Sequence, residues 1–257
     1  MDVTLEPLVD HLLTHDPGGV LGFYLYGSAV GSGLRPSSDI DTLLVTRSSL
    51  TGAERASLLS LLLEISGWSG HVDQFPDATR RRPIEVTSVA VGTQLPWQPV
   101  PRRDFQYGEW LRREATSGVI PGPARDPDVV TIVATAQSAH RVLHGLPLGD
   151  VIADVPPDQL RNAVADNVDQ LLLDLPGDER NVLLTLARTL ITLTTGGIVS
   201  KDDAAQHVAA SLADEHRELL LRARAGYLGD RDDDWSSDRA RARDLAHVLA
   251  EQVEHLR

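Results

Sequence analysis

The chain of 257 residues contains no cysteine, no long apolar run and a deficit of positive charge. The absence of cysteine excludes disulfides and thiol-based catalysis or metal binding, and it is compatible with a reducing compartment. No apolar stretch approaches the roughly 20 residues needed to cross a bilayer, and the acidic N-terminus, residues 1–10, lacks the features of a signal peptide. These absences predict a cytoplasmic protein.

The charge balance is strongly acidic. Asp and Glu number 37 against 24 Lys and Arg, which gives a formal net charge of −13 at pH 7. A surface of this sign repels nucleic acids and anionic membranes and attracts cations, including small polycationic molecules. We therefore expect no nucleic-acid partner and no membrane partner, and we expect the chain to act as a monomer.

Two apolar runs near the start of the chain surround a Gly/Ser/Pro-rich loop. The first run, residues 21–26, ends at a glycine, and the second covers residues 40–46. Both have the length and the aromatic or β-branched content of buried strands. The sequence therefore predicts two strands joined by a short polar loop.

Asp39 and Asp41 stand at the start of the second run, on either side of Ile40. Because side chains alternate along a strand, the two carboxylates are expected on one face while Ile40 points to the core. Carboxylates this close repel each other unless a cation or a shared proton lies between them, and such a pair suits Mg²⁺ bound with substrate phosphates. A solvated acidic strand edge is the alternative interpretation.

The turn Gly27-Ser28 ends the first run, and Ser38 precedes the first aspartate. Glycine leaves room for a phosphate to approach the backbone N–H groups and the Ser28 hydroxyl. A Gly/Ser-rich turn also commonly just reverses the chain. The combination of this turn with Ser38-Asp39-Ile40-Asp41 at short spacing favours a site that binds a metal and a nucleotide.

A third strand is predicted at residues 84–91, with Glu85 as its one ionisable group. A carboxylate early in a core strand is costly unless it has a partner. Glu85 is therefore either a member of the site or a buried ion-pair partner of Arg81 or Arg82.

Strand-like runs stop near residues 150–157, where amphipathic helical patterns begin. We therefore predict a first domain at 1–154 and a helical domain at 155–257. Ser200 begins an N-cap signature that opens one of the helices. Further helices are predicted at 5–13, 51–65, 105–113, 128–144, 178–195, 215–226 and 236–255.

With these motifs in place, the chain resembles the DNA polymerase β-type nucleotidyltransferase superfamily. Within it, the chain is similar to the aminoglycoside (3'')(9)-adenylyltransferases. The resemblance implies an α+β fold, with an N-terminal mixed β-sheet domain with flanking helices followed by a C-terminal α-helical bundle. The segments that carry it are 24–30, 83–87, 106–110, 177–182 and 225–229.

The resemblance implies transfer of AMP from ATP to a hydroxyl of streptomycin (3'') and of spectinomycin (9), with two Mg²⁺ ions, release of pyrophosphate and inactivation of the antibiotic. Asp39 and Asp41 would be catalytic metal ligands. An attacking hydroxyl must lose its proton, and we interpret Glu85 as the general base, with contacts to the acceptor and to a second Mg²⁺ as further roles.

The resemblance also implies roles for residues in the helical half. Arg188 and Lys201 would neutralise the triphosphate, and Tyr227 would pack on the base or ribose, in addition to nucleotide contacts by Gly27, Ser28 and Ser38. Taken alone, these three residues are equally well a surface arginine, a helix start and a core tyrosine.

The resemblance implies that Trp110 and Asp178 are needed for recognition of streptomycin, a cationic acceptor, with Asn181 as a further polar contact. Without the resemblance, Trp110 would be a core residue and Asp178 a helix N-cap. Residues 67–82 and Gly197 depart from the family pattern. Two other functions remain open: transfer to a different hydroxyl, including one on a protein, and a non-catalytic nucleotide-binding regulator.

Overall fold

The computed structural model describes residues 3–30, 38–93 and 97–257. These residues form two compact units, the first ending at Val155 and the second running from Pro156 to Arg257. Most of the predicted Gly/Ser/Pro-rich loop, residues 31–37, lies outside the described residues. In the described part of the chain, no helix has the length and apolar character needed to span a membrane.

The first unit is built on a mixed sheet. Among the described residues the sheet has five strands in the order β5-β3-β2-β1-β7, and β4 and β6 form a separate ribbon. The two central strands β2 and β3 are parallel, and the other neighbours are antiparallel. The strands are β1 (Val20–Tyr26), β2 (Ile40–Thr46), β3 (Ile84–Ala90), β4 (Arg102–Arg103), β5 (Phe105–Tyr107), β6 (Ala124–Arg125) and β7 (His140–Gly145).

Helices cover both faces of this sheet. On one face, side chains such as Ile40 and Leu44 join a core with α1 and α2. On the other face, Leu43 and Val45 join a core with α4 and α5. The helices of the first unit are α1 (Glu6–His15), α2 (Gly52–Ile65), α3 (Arg112–Thr116), α4 (Asp128–Ser138) and α5 (Leu148–Val151).

The second unit is helical. Its longest helix, α8, packs against α9, α10 and α11 and ends at Gly196, whose φ of +77° is the left-handed conformation that favours glycine at a helix end. Ser200 caps α9, since its side chain accepts a hydrogen bond from the Asp203 N–H at 3.0 Å, as the N-cap signature predicts. The helices are α6 (Pro157–Asp166), α7 (Val168–Asp174), α8 (Glu179–Thr195), α9 (Lys201–Ala209), α10 (Asp214–Leu228) and α11 (Arg239–Glu254).

The predicted α+β class is confirmed, but two of the predicted helices are wrong in part. The helix predicted at 105–113 begins as strand β5, with Phe105 and Tyr107 fully buried against the sheet and Gln106 half-buried between them. That two-residue alternation is the pattern of a strand, and it is followed by a 3₁₀ turn at Glu109–Leu111.

The helix predicted at 128–144 ends at Ser138. Residues 140–145 form the edge strand β7, which pairs with β1 through register partners such as Tyr26 and His140. Three of the six residues of this strand are exposed and none is buried. The segment therefore has no apolar alternation from which a strand could be predicted. Pairing with β1 decides its conformation.

Candidate active site

Three acidic side chains lie where the central strands begin. In the parallel register of β2 and β3, Asp41 stands directly beside Glu85, and Asp39 precedes β2 by one residue. Ile40 is fully buried, whereas the three acidic residues are half-buried. The strand alternation therefore leaves the carboxylates on the face opposite Ile40, with part of their surface open to solvent.

Glu85 is the most perturbed of these groups. Burial raises the pKa of Glu85 from its ordinary value of 4.5 to about 8, and the neighbouring charges of Asp41, Asp39 and Asp128 add to this rise. A hydrogen bond with the side chain of Gln106 acts in the opposite direction. A carboxyl group with a raised pKa holds a proton more strongly, which is the property required of a group that accepts one near neutral pH.

We predict that Glu85→Gln makes the protein more stable than the wild type at pH 9, without nucleotide or divalent cation. Because the pKa of Glu85 is raised by folding, the wild type loses stability as the pH rises from 4.5 towards 8. The neutral amide removes that loss, so the difference should shrink towards pH 5. Urea unfolding at the two pH values measures it, with the exposed Glu64→Gln as control. An equal difference at both pH values would contradict the assignment.

Gly27 brings the backbone of the first turn against the carboxylate of Asp41. It has a φ of +70°, and a Cβ atom at this position would lie 2.5 Å from Oδ2 of Asp41. A side chain here would therefore displace that carboxylate. The turn that Gly27 opens continues through Ser28, which is half-buried.

Ser38 is buried at the entrance to β2, only 9% exposed. Its carbonyl accepts a hydrogen bond from Nη1 of Arg82 at 3.1 Å, which holds the backbone. Its hydroxyl is buried and has no hydrogen-bond partner among the described residues. A buried hydroxyl without a partner is rare, and a ligand oxygen is one partner that would satisfy it.

The sequence analysis predicts Ser38 as a nucleotide contact, and on that prediction Ser38→Ala should raise the KM for ATP about fivefold through the loss of one hydrogen bond. Stability should be unchanged or higher, since removing an unpaired buried hydroxyl removes its desolvation cost. Ser88→Ala is the matched control, because Ser88 in β3 has a fully buried hydroxyl that is likewise unpaired within the described ranges. Equal KM values for the two variants would count against Ser38 as a nucleotide contact.

The carboxylates at the start of β2 and β3 meet the ligand requirements of Mg²⁺ only in part. Within residues 3–30, 38–93 and 97–257, no three His, Cys, Asp or Glu side chains are gathered closely enough to hold a metal ion. Mg²⁺ needs only one or two carboxylates when phosphate oxygens complete its shell. Asp39 and Asp41, with the space beside Gly27, fit that requirement, while Glu85 as a third ligand stays a prediction.

Trp110 lies in the same unit but not in a core helix. It sits in the 3₁₀ turn after β5 with 55% of its surface exposed, and its indole covers Gly108. The alternative interpretation of Trp110 as a core residue is therefore wrong. An exposed indole held over a glycine offers a flat surface for stacking on a ligand.

Three of the predicted residues of the second unit form a chain of contacts. Nδ2 of Asn181 donates to Oδ2 of Asp178 at 3.0 Å, and Nζ of Lys201 donates to Oδ1 of Asn181. Asp178 occupies the N-cap position of α8, but its side chain does not bond a backbone amide there. Desolvation by surrounding atoms raises the pKa of Asp178, although the residue remains partly exposed.

Arg188 and Tyr227 are half-buried on α8 and α10 of that unit.

Gln106 is a site residue that the sequence analysis did not single out. It lies on β5 beside Thr87 and reaches Glu85. The only sequence signal for this strand is the apolar-polar-apolar alternation of residues 105–107, and three residues are too few to distinguish it from a helical pattern.

Comparison with known proteins gives consistent matches. A spectinomycin 9-adenylyltransferase of Staphylococcus aureus is 40% identical over 91% of this chain and 88% of its own length. A spectinomycin 9-adenylyltransferase of Campylobacter jejuni is 38% identical over 93% and 90%. An aminoglycoside (3'') (9) adenylyltransferase of Escherichia coli is 31% identical over 97% and 93%.

The fold and the C-terminal half match as well. The crystal structure of the spectinomycin adenyltransferase AAD(9) from Enterococcus, determined with ATP and spectinomycin, has a TM-score of 0.86 at 30% identity and covers 98% of this chain and 97% of its own. The family model for the aminoglycoside adenylyltransferase C-terminal domain matches residues 150–252. Fold and relatives together define the molecule as an enzyme of the nucleotidyltransferase class. With relatives that are 31–40% identical over most of its length, the chain belongs to the aminoglycoside adenylyltransferase family.

Proposed function

We propose that the enzyme transfers AMP from ATP to a hydroxyl of spectinomycin and of streptomycin, and that this modification inactivates the antibiotic. The observation that carries the proposal is the pairing of Asp41 with Glu85 in parallel register, with the Gly27 turn against Asp41. The names of the relatives support spectinomycin and an aminoglycoside as acceptors. Streptomycin is the aminoglycoside that the family resemblance of the sequence implies.

The reaction is a displacement at the α-phosphorus. The acceptor oxygen forms a bond to the α-phosphorus, the bond from that phosphorus to the bridging oxygen breaks, and pyrophosphate leaves. Glu85 takes the hydroxyl proton as the general base. The backbone of Gly27-Ser28 and the hydroxyl of Ser38 orient the phosphates.

Asp39 and Asp41, joined by Glu85, would hold Mg²⁺. When bound, Mg²⁺ neutralises charge on the phosphate oxygens and on the departing pyrophosphate. In the second unit, Lys201 and Arg188 pair with phosphate oxygens and Tyr227 packs on the nucleoside. The side chain of Asn181 holds Lys201 in place for this contact.

The acceptors carry positive charge, which the acidic chain attracts. Asp178 pairs with a cationic group of the drug, Asn181 adds a polar contact, and Trp110 packs on a sugar ring. The reaction consumes ATP, so we place the enzyme in the cytoplasm. One chain carries every residue of this proposal, so a monomer suffices and no nucleic acid is required.

The test is direct. The purified protein is incubated with Mg²⁺ and ATP together with streptomycin or spectinomycin, and attachment of AMP to each drug is measured by mass spectrometry. We expect an adduct on both drugs, lost when Mg²⁺ is chelated. An adduct on neither drug would reject these acceptors and direct the search to another hydroxyl, including protein side chains.

Trp110→Ala should lower kcat/KM for streptomycin about tenfold while spectinomycin changes less than about threefold. The indole is exposed, so its removal should cost little stability. Asp178→Asn should give the same selectivity, and it keeps an oxygen to accept the bond from Asn181. Leu13→Ala, which shortens an apolar side chain that is 54% exposed on α1 of the same unit, serves as control. Equal losses for both drugs would contradict the assignment.

A further inference from the structure

We propose that Glu109 is a positioning residue that couples the turn carrying Trp110 to the strand carrying Glu85. The coupling itself is argued from contacts within the first unit. Its effect on the acceptor rests on the proposed function, in which Trp110 packs on the drug.

Glu109 is a buried carboxylate with an unusually complete set of donors. Its side chain is 7% exposed and accepts five hydrogen bonds. The Oε1 atom accepts from Ser66 Oγ at 2.6 Å, Tyr107 OH at 2.9 Å and Arg112 Nη2 at 3.0 Å. The Oε2 atom accepts from Arg112 Nε at 2.7 Å and lies 2.8 Å from His71 Nε2. Such a group holds a unique arrangement, because loss of one member leaves charged partners unpaired.

One arm of this network reaches the strand of the proposed base. Ser66 donates its hydroxyl proton to Glu109, and the same oxygen accepts the N–H of Ile84 at 3.0 Å. Ile84 is the first residue of β3 and directly precedes Glu85. The position of Glu109 therefore bears on the start of β3 through a single intervening side chain.

The other arm determines where Trp110 stands. Glu109 and Arg112 lie on either side of Trp110 in one helical turn and bond each other. Arg112 also donates to the carbonyl oxygens of Leu63, at 3.1 Å, and Ser66, at 2.7 Å, at the end of α2. The turn is thus bonded through Glu109 to Ser66, which contacts β3, and through Arg112 to the end of α2, while the indole itself remains exposed.

Residues 67–82, which depart from the family pattern, contribute one member. The His71 ring lies edge-on to Trp68 and Phe75, with centroid distances of 5.3 and 5.2 Å, and its Nε2 faces Glu109. The departing segment is therefore joined to the Trp110 turn through a hydrogen bond to the same carboxylate.

If Glu109 only stabilised the fold, replacing another buried carboxylate of this unit would change the kinetics to the same extent. Asp104 provides this control. Asp104 is a second buried carboxylate of this unit, 4% exposed, and it bonds Arg55 at 3.0 Å and the Leu50 N–H at 2.8 Å. Asp104 precedes β5, whereas Glu109 follows it. The Asp104 side chain bonds Ser49, Leu50 and Arg55, and its backbone N–H, which the substitution keeps, bonds the Ser88 carbonyl of β3 at 2.8 Å. Asp104→Asn removes a comparable buried charge without touching either arm.

The experiment compares Glu109→Gln, Ser66→Ala and Asp104→Asn in the full chain, at a temperature where each is folded. We expect kcat/KM for streptomycin to fall about tenfold in the first and about threefold in the second, with KM for ATP unchanged within about twofold. Asp104→Asn should leave both constants within about twofold. Kinetics of Glu109→Gln that match those of Asp104→Asn would overturn the proposal.

Hydrogen exchange gives a second readout that needs no acceptor. Peptides covering residues 83–88 and 109–113 should exchange about tenfold faster together in Ser66→Ala and in Glu109→Gln. Faster exchange confined to one of the two segments would overturn the coupling. If Glu109→Gln does not fold, the kinetics and the hydrogen exchange are both measured on Ser66→Ala. A wild type that modifies neither drug would reject the proposed function, and hydrogen exchange would still decide the coupling.

Discussion

Replacing Asp41 with Asn should lower kcat for AMP transfer about a thousandfold without lowering the stability of the protein. Asp41 faces the Gly27 turn and stands beside Glu85, so its charge is the one most directly placed to hold a cation with phosphate oxygens. The neutral amide keeps the shape of the side chain and removes that charge.

Stability should not fall, because the same charge is unfavourable in the protein alone. Asp41 raises the pKa of Glu85, which means that the two carboxylates repel each other when both are ionised. Removing one of them relieves the repulsion, so the free energy of unfolding without ligand should stay equal or rise. Sites that hold like charges together lose stability for the sake of function.

The measurement combines mass spectrometry of AMP-drug adducts with urea unfolding at pH 8. Asp10→Asn is the control, since Asp10 is an exposed carboxylate on α1 of the same unit. A variant at position 41 that keeps more than about a tenth of the wild-type kcat would contradict a metal-binding role for this carboxylate. A large loss of stability would contradict the repulsion.

Gly27→Ala should lower kcat/KM about a hundredfold, because the new methyl group would displace the carboxylate of Asp41 and close the approach to the backbone N–H groups. A Cβ at this position would lie 2.5 Å from Asp41 Oδ2, far inside van der Waals contact. The oxygen is at the end of a side chain that can rotate, so activity should suffer more than stability.

The strained backbone alone has a separate effect, and Gly118→Ala isolates it. Gly118 has a φ of +93° in the same unit, and an added Cβ there would meet nothing within 4 Å. Both variants should lose about 1 kcal/mol of unfolding free energy from the left-handed conformation. Only Gly27→Ala should lose activity, as measured by adduct formation at matched folded concentration. Similar activity losses in the two variants would show that strain, rather than displacement of Asp41, is responsible.

Local pattern alone predicted much of the first unit. The apolar runs 21–26 and 40–46 became β1 and β2 to within a residue, and the run 84–91 became β3. Alternation along an extended chain put Ile40 in the core between Asp39 and Asp41. These features follow from the period of a strand, which each segment carries by itself.

The edges of the sheet could not be predicted in this way. The segment 105–107 has three residues, too few for its alternation to be distinguished from a helical pattern, and β7 is largely exposed. Each becomes a strand because a neighbour offers an unpaired edge: β3 for the first and β1 for the second. Pairing between distant segments overrode local preference in both.

The sequence by itself determined which carboxylates share a face of β2, where the Gly-Ser turn lies, and to which family the chain is similar. Only the tertiary structure decided that Asp41 stands beside Glu85, that Gly27 must have no side chain, and that Glu109 joins the Trp110 turn to β3. The physical reason is the distance along the sequence over which each interaction acts. Periodicity and turn chemistry act over a few residues, whereas parallel register and buried hydrogen-bond networks join segments that lie tens of residues apart.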